Sequence, residues 1–405
     1  MKNPAVMLRH RKSIANPIEL QYTAEAAGMQ QARFQDRVIL RPNIDLNDFS
    51  CRAVIDWIEL EIEVDKPTQF RWIQDQITPI LGRKPYVEGL NSGNGNVAVR
   101  FRIRLQEAHI FEVHKIIVVL QARFNLAGLP SVSEMEVSID FTPRQPSDVD
   151  RGKLLGVLFR HFHPSRDVMS NYQDRPNHSW GKGFRNERVF YGNRSLEDRL
   201  EIVALEKCRA TPIDATLYFG EKGSSSKWRL MDKIVDQQNV PGGTFNPLSE
   251  ADKRVRIEVT LNSEELGRIG ISTPEDLNDF TFTKLQGAYF EFMLPTFSNT
   301  NSLPGGTQGI CRDFLERRRQ TTFLAIGVVG LQALDQARAV YASTKMPEMR
   351  GVLRQRNILL PQRRRTAPRR TGTLVSYNEL TTRVQMALRK LQERERRLLV
   401  RSREG

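Results

Sequence analysis

The segment Val54-Ile55-Asp56-Trp57-Ile58-Glu59-Leu60-Glu61-Ile62-Glu63-Val64 decides the fold class. Its apolar and polar residues alternate, which is the period of a strand with one buried and one polar face. Downstream, the turn Asn91-Ser92-Gly93-Asn94-Gly95-Asn96 feeds a second alternating strand, Val97 to Leu105. A third strand, Glu134 to Phe141, follows the Gly128-Leu129-Pro130 break. Strands are also expected at Ala215 to Gly220 and Lys227 to Met231, joined by a Gly/Ser turn, and at Val255 to Leu261. Helical periodicity marks residues 69–81, 108–124, a segment from about Ser263, residues 313–343 and residues 377–402. Alternating strands with helices between them imply an α+β fold, a largely antiparallel sheet backed by helices, with a C-terminal helical and basic extension.

The expected organisation has four parts. Residues 1–50 read as an N-terminal arm with a short helix near Ala24 to Arg33, and residues 51–295 as the α+β domain. Residues 296–344 read as a linker and a helical segment, and residues 345–405 as a basic, partly disordered tail ending in a helix. Residues 142–200 carry no clear period, although the apolar run Leu154 to Phe159 suits a buried strand. No internal repeat is present.

Charge is uneven. The 405 residues carry 61 Lys and Arg against 47 Asp and Glu, a net charge of +14. From Lys345 onward there are 17 basic and 5 acidic residues, so the tail holds +12 and the first 344 residues only +2. A phosphate backbone attracts such a tail without reading sequence, and Arg363, Arg364, Arg365, Arg369 and Arg370 are its densest group. A near-neutral body should then keep its fold when residues 345–405 are deleted. The longest apolar run, Phe323 to Leu334, is too short to span a bilayer and contains two glycines and Gln332. Met1-Lys2-Asn3-Pro4 starts no apolar signal core, and Cys51, Cys208 and Cys311 form no CxxC pair. A reducing cytoplasm is the expected location, with no membrane partner.

Three segments occur in a telling order: Glu136-Val137-Ser138-Ile139-Asp140-Phe141, then Tyr218-Phe219-Gly220 with Arg229-Leu230-Met231-Asp232-Lys233, then Arg256-Ile257-Glu258-Val259. Together they resemble the trans-acting rolling-circle replication initiators of plasmids and filamentous phages, over about residues 54–343. The resemblance implies an origin-binding protein of a bacterial host that nicks and rejoins one DNA strand through a tyrosine. A divalent metal, Mg²⁺ or Mn²⁺, would polarise the phosphate, because a tyrosine hydroxyl is a weak nucleophile at its usual pKa. Glu136, Asp140 and Glu258 could supply the metal ligands; Arg229, Lys233 and Arg256 are candidates for phosphate contact near the cleft, the first two in the reaction and Arg256 in DNA binding. Single-stranded origin DNA is the implied partner, and a host helicase and a homodimer are compatible with it.

At one position the sequence departs from the family. Met231 stands where the family has its nucleophilic tyrosine. Tyr218, Tyr172 and Tyr191 are the alternatives, in that order. His161-Phe162-His163 offers a second metal-ligand spacing, which would favour Tyr172, nine residues beyond His163. Two other functions stay open: a DNA-binding protein of the same fold that has lost nicking, and a basic nucleic-acid-binding phage protein.

Overall fold

A computed structural model of the chain describes residues 3–11, 16–28, 31–91, 97–169, 171, 173–180, 185–189, 210–221, 223–239, 244–299, 305–356 and 374–404. The strands are β1 (Ala5–Leu8), β2 (Ile18–Ala26), β3 (Arg37–Pro42), β4 (Phe49–Gln69), β5 (Tyr86–Gly89), β6 (Val97–Gln106), β7 (Ser131–Pro143), β8 (Phe162–His163), β9 (Asn177–Trp180) and β10 (Arg185–Arg188). They continue as β11 (Thr216–Phe219), β12 (Ser226–Lys233), β13 (Val235–Asn239), β14 (Thr244–Pro247), β15 (Arg254–Asn262), β16 (Glu291–Ser298) and β17 (Leu374–Ser376). The helices are α1 (Phe70–Leu81), α2 (Ile110–Phe124), α3 (Asp148–His161), α4 (Ser263–Ile269), α5 (Asp276–Asp279), α6 (Lys284–Tyr289), α7 (Thr307–Gln355) and α8 (Asn378–Glu404).

The expected α+β architecture is present. A nine-stranded antiparallel sheet runs β10-β9-β11-β12-β15-β7-β4-β6-β5, and all six strands expected from alternation lie in it. Alternation sends Trp228, Leu230, Ile257, Val259, Val137 and Ile139 to one face, where they are buried. Helix α3 packs against β7, β12 and β15, and α1 and α2 pack against β4. The opposite face of the central strands carries Arg229, Met231 and Lys233 on β12, Arg254, Arg256 and Glu258 on β15, and Glu136, Ser138 and Asp140 on β7.

A second antiparallel sheet, β1-β2-β3-β16-β17 with β8 paired to β16, unites both ends of the chain. Here the structure corrects the sequence reading. The described part of residues 5–42 holds three strands, and the helix expected near Ala24 is replaced there by the end of β2 and a short 3-10 turn, Ala32–Phe34. Residues 291–298, at the expected start of the linker, form β16. The run Leu154 to Phe159 is helical. Ser147 caps α3 by accepting from the Asp150 amide at 3.1 Å, and every residue from Leu154 to His161 is buried. A helix buried all round has no polar stripe, so its period is invisible in sequence. Helix α7 extends to Gln355 with Pro347 inside it, into the stretch expected to be disordered.

Helix α8 is held to the body. Leu380, Val384, Ala387, Leu388 and Leu391 are buried. The Glu395 carboxylate, 4% exposed, accepts from the Ile110 amide at 3.1 Å and bonds the His109 ring at 3.1 Å, so it caps the N-terminus of α2. Arg394 donates to the Ala53 carbonyl at 3.2 Å, on the half of β4 that β6 leaves unpaired.

Candidate functional site

The charged centre is built by cross-strand register. Arg229 lies opposite Glu258, and Arg256 lies opposite Met231 on one side and Asp140 on the other. Directly opposed side chains on one face stand about 5 Å apart at Cβ, within reach of long charged groups. Arg256, 2% exposed, donates to Asp140 at 2.5 and 2.8 Å, to Asp56 at 2.9 Å and to Glu258 at 3.3 Å. Arg254 pairs with Asp140 at 3.1 Å. Arg229 pairs with Glu258 and, at 3.3 Å, with Glu136. Glu136 also accepts from the Trp57 indole at 3.0 Å and from the Thr260 hydroxyl at 2.6 Å.

Asp56, Glu136 and Glu258 can each present a carboxylate oxygen within 4.8 Å of the others'. Hard oxygen donors suit Mg²⁺ or Mn²⁺, so the donor set fits a divalent cation. Both oxygens of Glu258 are engaged by arginines, as is one oxygen of Asp56, so a cation would have to displace guanidinium groups. Burial, reinforced by the Glu258 charge, pushes Glu136 up to about 7. For Asp56 burial acts against ionisation, but Arg256, Lys233 and a hydrogen bond from Glu136 outweigh it, and its pKa is lowered. Burial, aided by Arg256, lowers the Lys233 pKa.

The expected site residues divide accordingly. Glu136, Asp140, Glu258, Arg229, Lys233 and Arg256 share one sheet face, with Met231 among them. Tyr218, on β11, lies directly opposite Arg229, so its side chain is on that face too. Asp140 is not part of the carboxylate trio; its oxygens pair with Arg254 and Arg256. Arg256, expected to contact DNA, is an internal brace with three carboxylate partners. Tyr172, Tyr191, Arg363, Arg364, Arg365, Arg369 and Arg370 lie outside the described residues.

His161 and His163 go to different environments. His161 ends α3 inside an aromatic cluster with Tyr22, Phe323 and Tyr377, its Nδ1 bonded to the Met293 carbonyl at 2.7 Å. His163 bonds Glu291 at 3.0 Å and Gln332 at 2.8 Å. Among the described residues they belong to no metal-ligand group. Burial lowers His161 to about 3 from an ordinary 6.5. Between those values the unfolded chain takes up a proton that the folded chain refuses. The stabilising effect of a neutral His161 is complete above 6.5 and is lost as pH falls through that window. His161→Gln should therefore reduce the loss of stability from pH 7 to pH 5 by about 2 kcal/mol, read by denaturant unfolding. An unchanged pH dependence would refute it.

The sequence reading missed Asp56. It occupies a β-bulge, where β4 shifts register against β7 between Ile55 and Trp57. The one signal in the sequence is the adjacent apolar pair Trp57-Ile58, which breaks strict alternation.

The fold and site define an α+β sheet protein with a buried carboxylate–arginine centre on one face of the sheet. No protein-family model matches the chain, and no curated protein matches it. Among solved structures it is similar to a rolling circle replication initiator protein from Geobacillus stearothermophilus. The identity is 12%, the match covers 66% of this chain and 97% of that one, and the TM-score is 0.29. Likeness at that level carries no functional inference. No helix among the described residues is long and apolar enough to cross a membrane.

Proposed function

We propose that this chain is a DNA-binding replication initiator that nicks one strand through Tyr218. The observation that carries the reading is the placement of Tyr218, Arg229 and the Asp56, Glu136 and Glu258 carboxylates on one sheet face in adjacent registers. A buried ionic network costs more than apolar packing of the same volume, and strongly shifted carboxylates concentrate at functional sites.

Asp56, Glu136 and Glu258 would hold a divalent cation, which when bound supplies positive charge to a scissile phosphate. Arg229, the partly exposed arginine of the centre, is positioned to meet phosphate oxygens from the same face. Attack of the Tyr218 oxygen on phosphorus would break the bond to the 3′ oxygen. The products are a 5′ phosphotyrosine and a 3′ hydroxyl that carries, in net terms, the tyrosine proton.

The test incubates the full chain and Mn²⁺ with single-stranded oligonucleotides tiled across the DNA flanking its coding sequence. A covalent species on denaturing electrophoresis is expected. Tyr218→Phe should abolish it while DNA affinity changes less than about twofold, because only the hydroxyl is lost. An adduct that survives in Tyr218→Phe moves the nucleophile elsewhere. A second reading rests on Met231 and on the mutual neutralisation of the network: a binding protein of the same fold that does not cut. It wins if the unaltered chain never forms an adduct and Met231→Tyr does.

A further inference from the structure

Helix α8 and the half of β4 that β6 leaves unpaired enclose a groove of about 420 Å³. Its floor is apolar, formed by Ala53, Ala387 and Leu391, all buried. Its rim is basic: Arg52 comes from β4, and Lys390, Arg394 and Arg397 come from α8. The three helix residues are spaced i, i+4 and i+7, so they form one row along the groove. The bond from Arg394 to the Ala53 carbonyl fixes the helix against the strand edge. Glu393 is the single acid in the lining.

Charge pairing distinguishes this groove from the arginine-rich strand β6. On β6, Arg100, Arg102 and Arg104 are each matched to Glu59 or Glu61 across the strand. Arg52, Lys390 and Arg397 are exposed, and no ion pair joins them to a carboxylate among the described residues. These three cations thus line one concave track. The track also has a direction. Arg52 lies opposite Asp140, and Asp140 lies opposite Arg256, so the groove mouth is one strand away from β7 and two from the heart of the carboxylate–arginine centre. Burial pushes the Cys51 thiol, in the same lining, up to about 12, so the groove offers no thiolate chemistry. Its chemistry is that of an anion binder.

We propose that this groove binds the phosphate backbone of a single nucleic-acid strand and leads that strand onto the charged face of the sheet. The binding step stands on the groove alone, and its direction toward the centre rests on the function proposed above. Row spacing and concavity favour a linear polyanion over a flat anionic surface. Phosphate contacts of this kind fix the position of a strand without reading its sequence.

The experiment measures affinity of the full chain for a labelled single-stranded oligonucleotide across a salt series. The groove variant carries Arg52→Gln, Lys390→Gln and Arg397→Gln. The control carries Lys66→Gln, Lys84→Gln and Arg123→Gln, three exposed cations elsewhere, and loses the same net charge. Each phosphate contact on a single strand adds about 0.7 to the log–log salt slope, so the groove variant should lose about 2 in slope and the control far less. Thermal melting confirms folding, and if the triple variant does not fold, Arg52→Gln alone should lose about 0.7 in slope. Equal slopes for groove variant and control overturn the proposal. So does poly-glutamate that competes as well as the oligonucleotide at equal charge, which would make the groove a site for acidic peptide. A Tyr218-dependent adduct with an unchanged slope sinks the groove alone. A flattened slope with no adduct from any strand sinks the nicking reading alone.

Discussion

Removal of residues 374–404 should abolish cooperative folding. Helix α8 buries Leu380, Val384, Leu388 and Leu391 at zero exposure, and the segment before it adds Val375 and Tyr377 at 7% and 1%. Full burial of one such side chain stabilises by about 1.5–3 kcal/mol, so six contribute on the order of 10 kcal/mol. That equals the whole stability of an ordinary domain, about 5–15 kcal/mol. Truncation also uncaps α2, which loses Glu395, and strips Arg394 from the edge of β4. The expected result is loss of the sigmoidal thermal transition by circular dichroism. A truncated chain that melts cooperatively within a few degrees of the full chain would refute it. Met386→Gln, at a position 52% exposed on the same helix, should leave the melt unchanged.

Gly327→Ala should destabilise the chain by about 2–6 kcal/mol, from backbone strain and overpacking of about 1–3 kcal/mol each. Gly327 interrupts α7 with φ 75° and ψ −162°, a conformation essentially closed to other residues. A Cβ at this position would stand 2.4 Å from the Arg160 Cα and 2.5 Å from its carbonyl oxygen, both backbone atoms of α3. Nothing in that contact can rotate away. The interruption also has a use. Buried Arg160 donates to the Leu324 carbonyl at 2.7 Å, a group that a continuous helix would occupy internally. Denaturant midpoints provide the measurement, with Gly128→Ala, which meets nothing within 4 Å, as the neutral comparison. A loss below about 0.5 kcal/mol, the usual range for surface changes, would show that α3 and α7 can separate at this point.

Much of the central sheet was legible because its strands alternate, and alternation is a local property. The segments 54–64, 97–105, 134–141, 227–231 and 255–261 all became strands of one sheet, and Glu136, Glu258, Arg229 and Tyr218 share a face there. The second sheet was less legible. Its strands join residues 5–42 to residues 291–298 and 374–376, and pairings across such separations leave no local period. Asp56 was hidden by its bulge, and nothing local separates Asp140 from Glu136, although only Glu136 joins the carboxylate trio.

The sequence by itself determined the α+β class, the central strands and the sign of the charge, because period and composition are written residue by residue. The tertiary structure alone decided which acids meet, that His161 and His163 part company, and that the basic C-terminal helix is anchored to the fold. The physical reason is the same in each case. Those outcomes depend on register, burial and cross-strand partners, which come from distant parts of the chain.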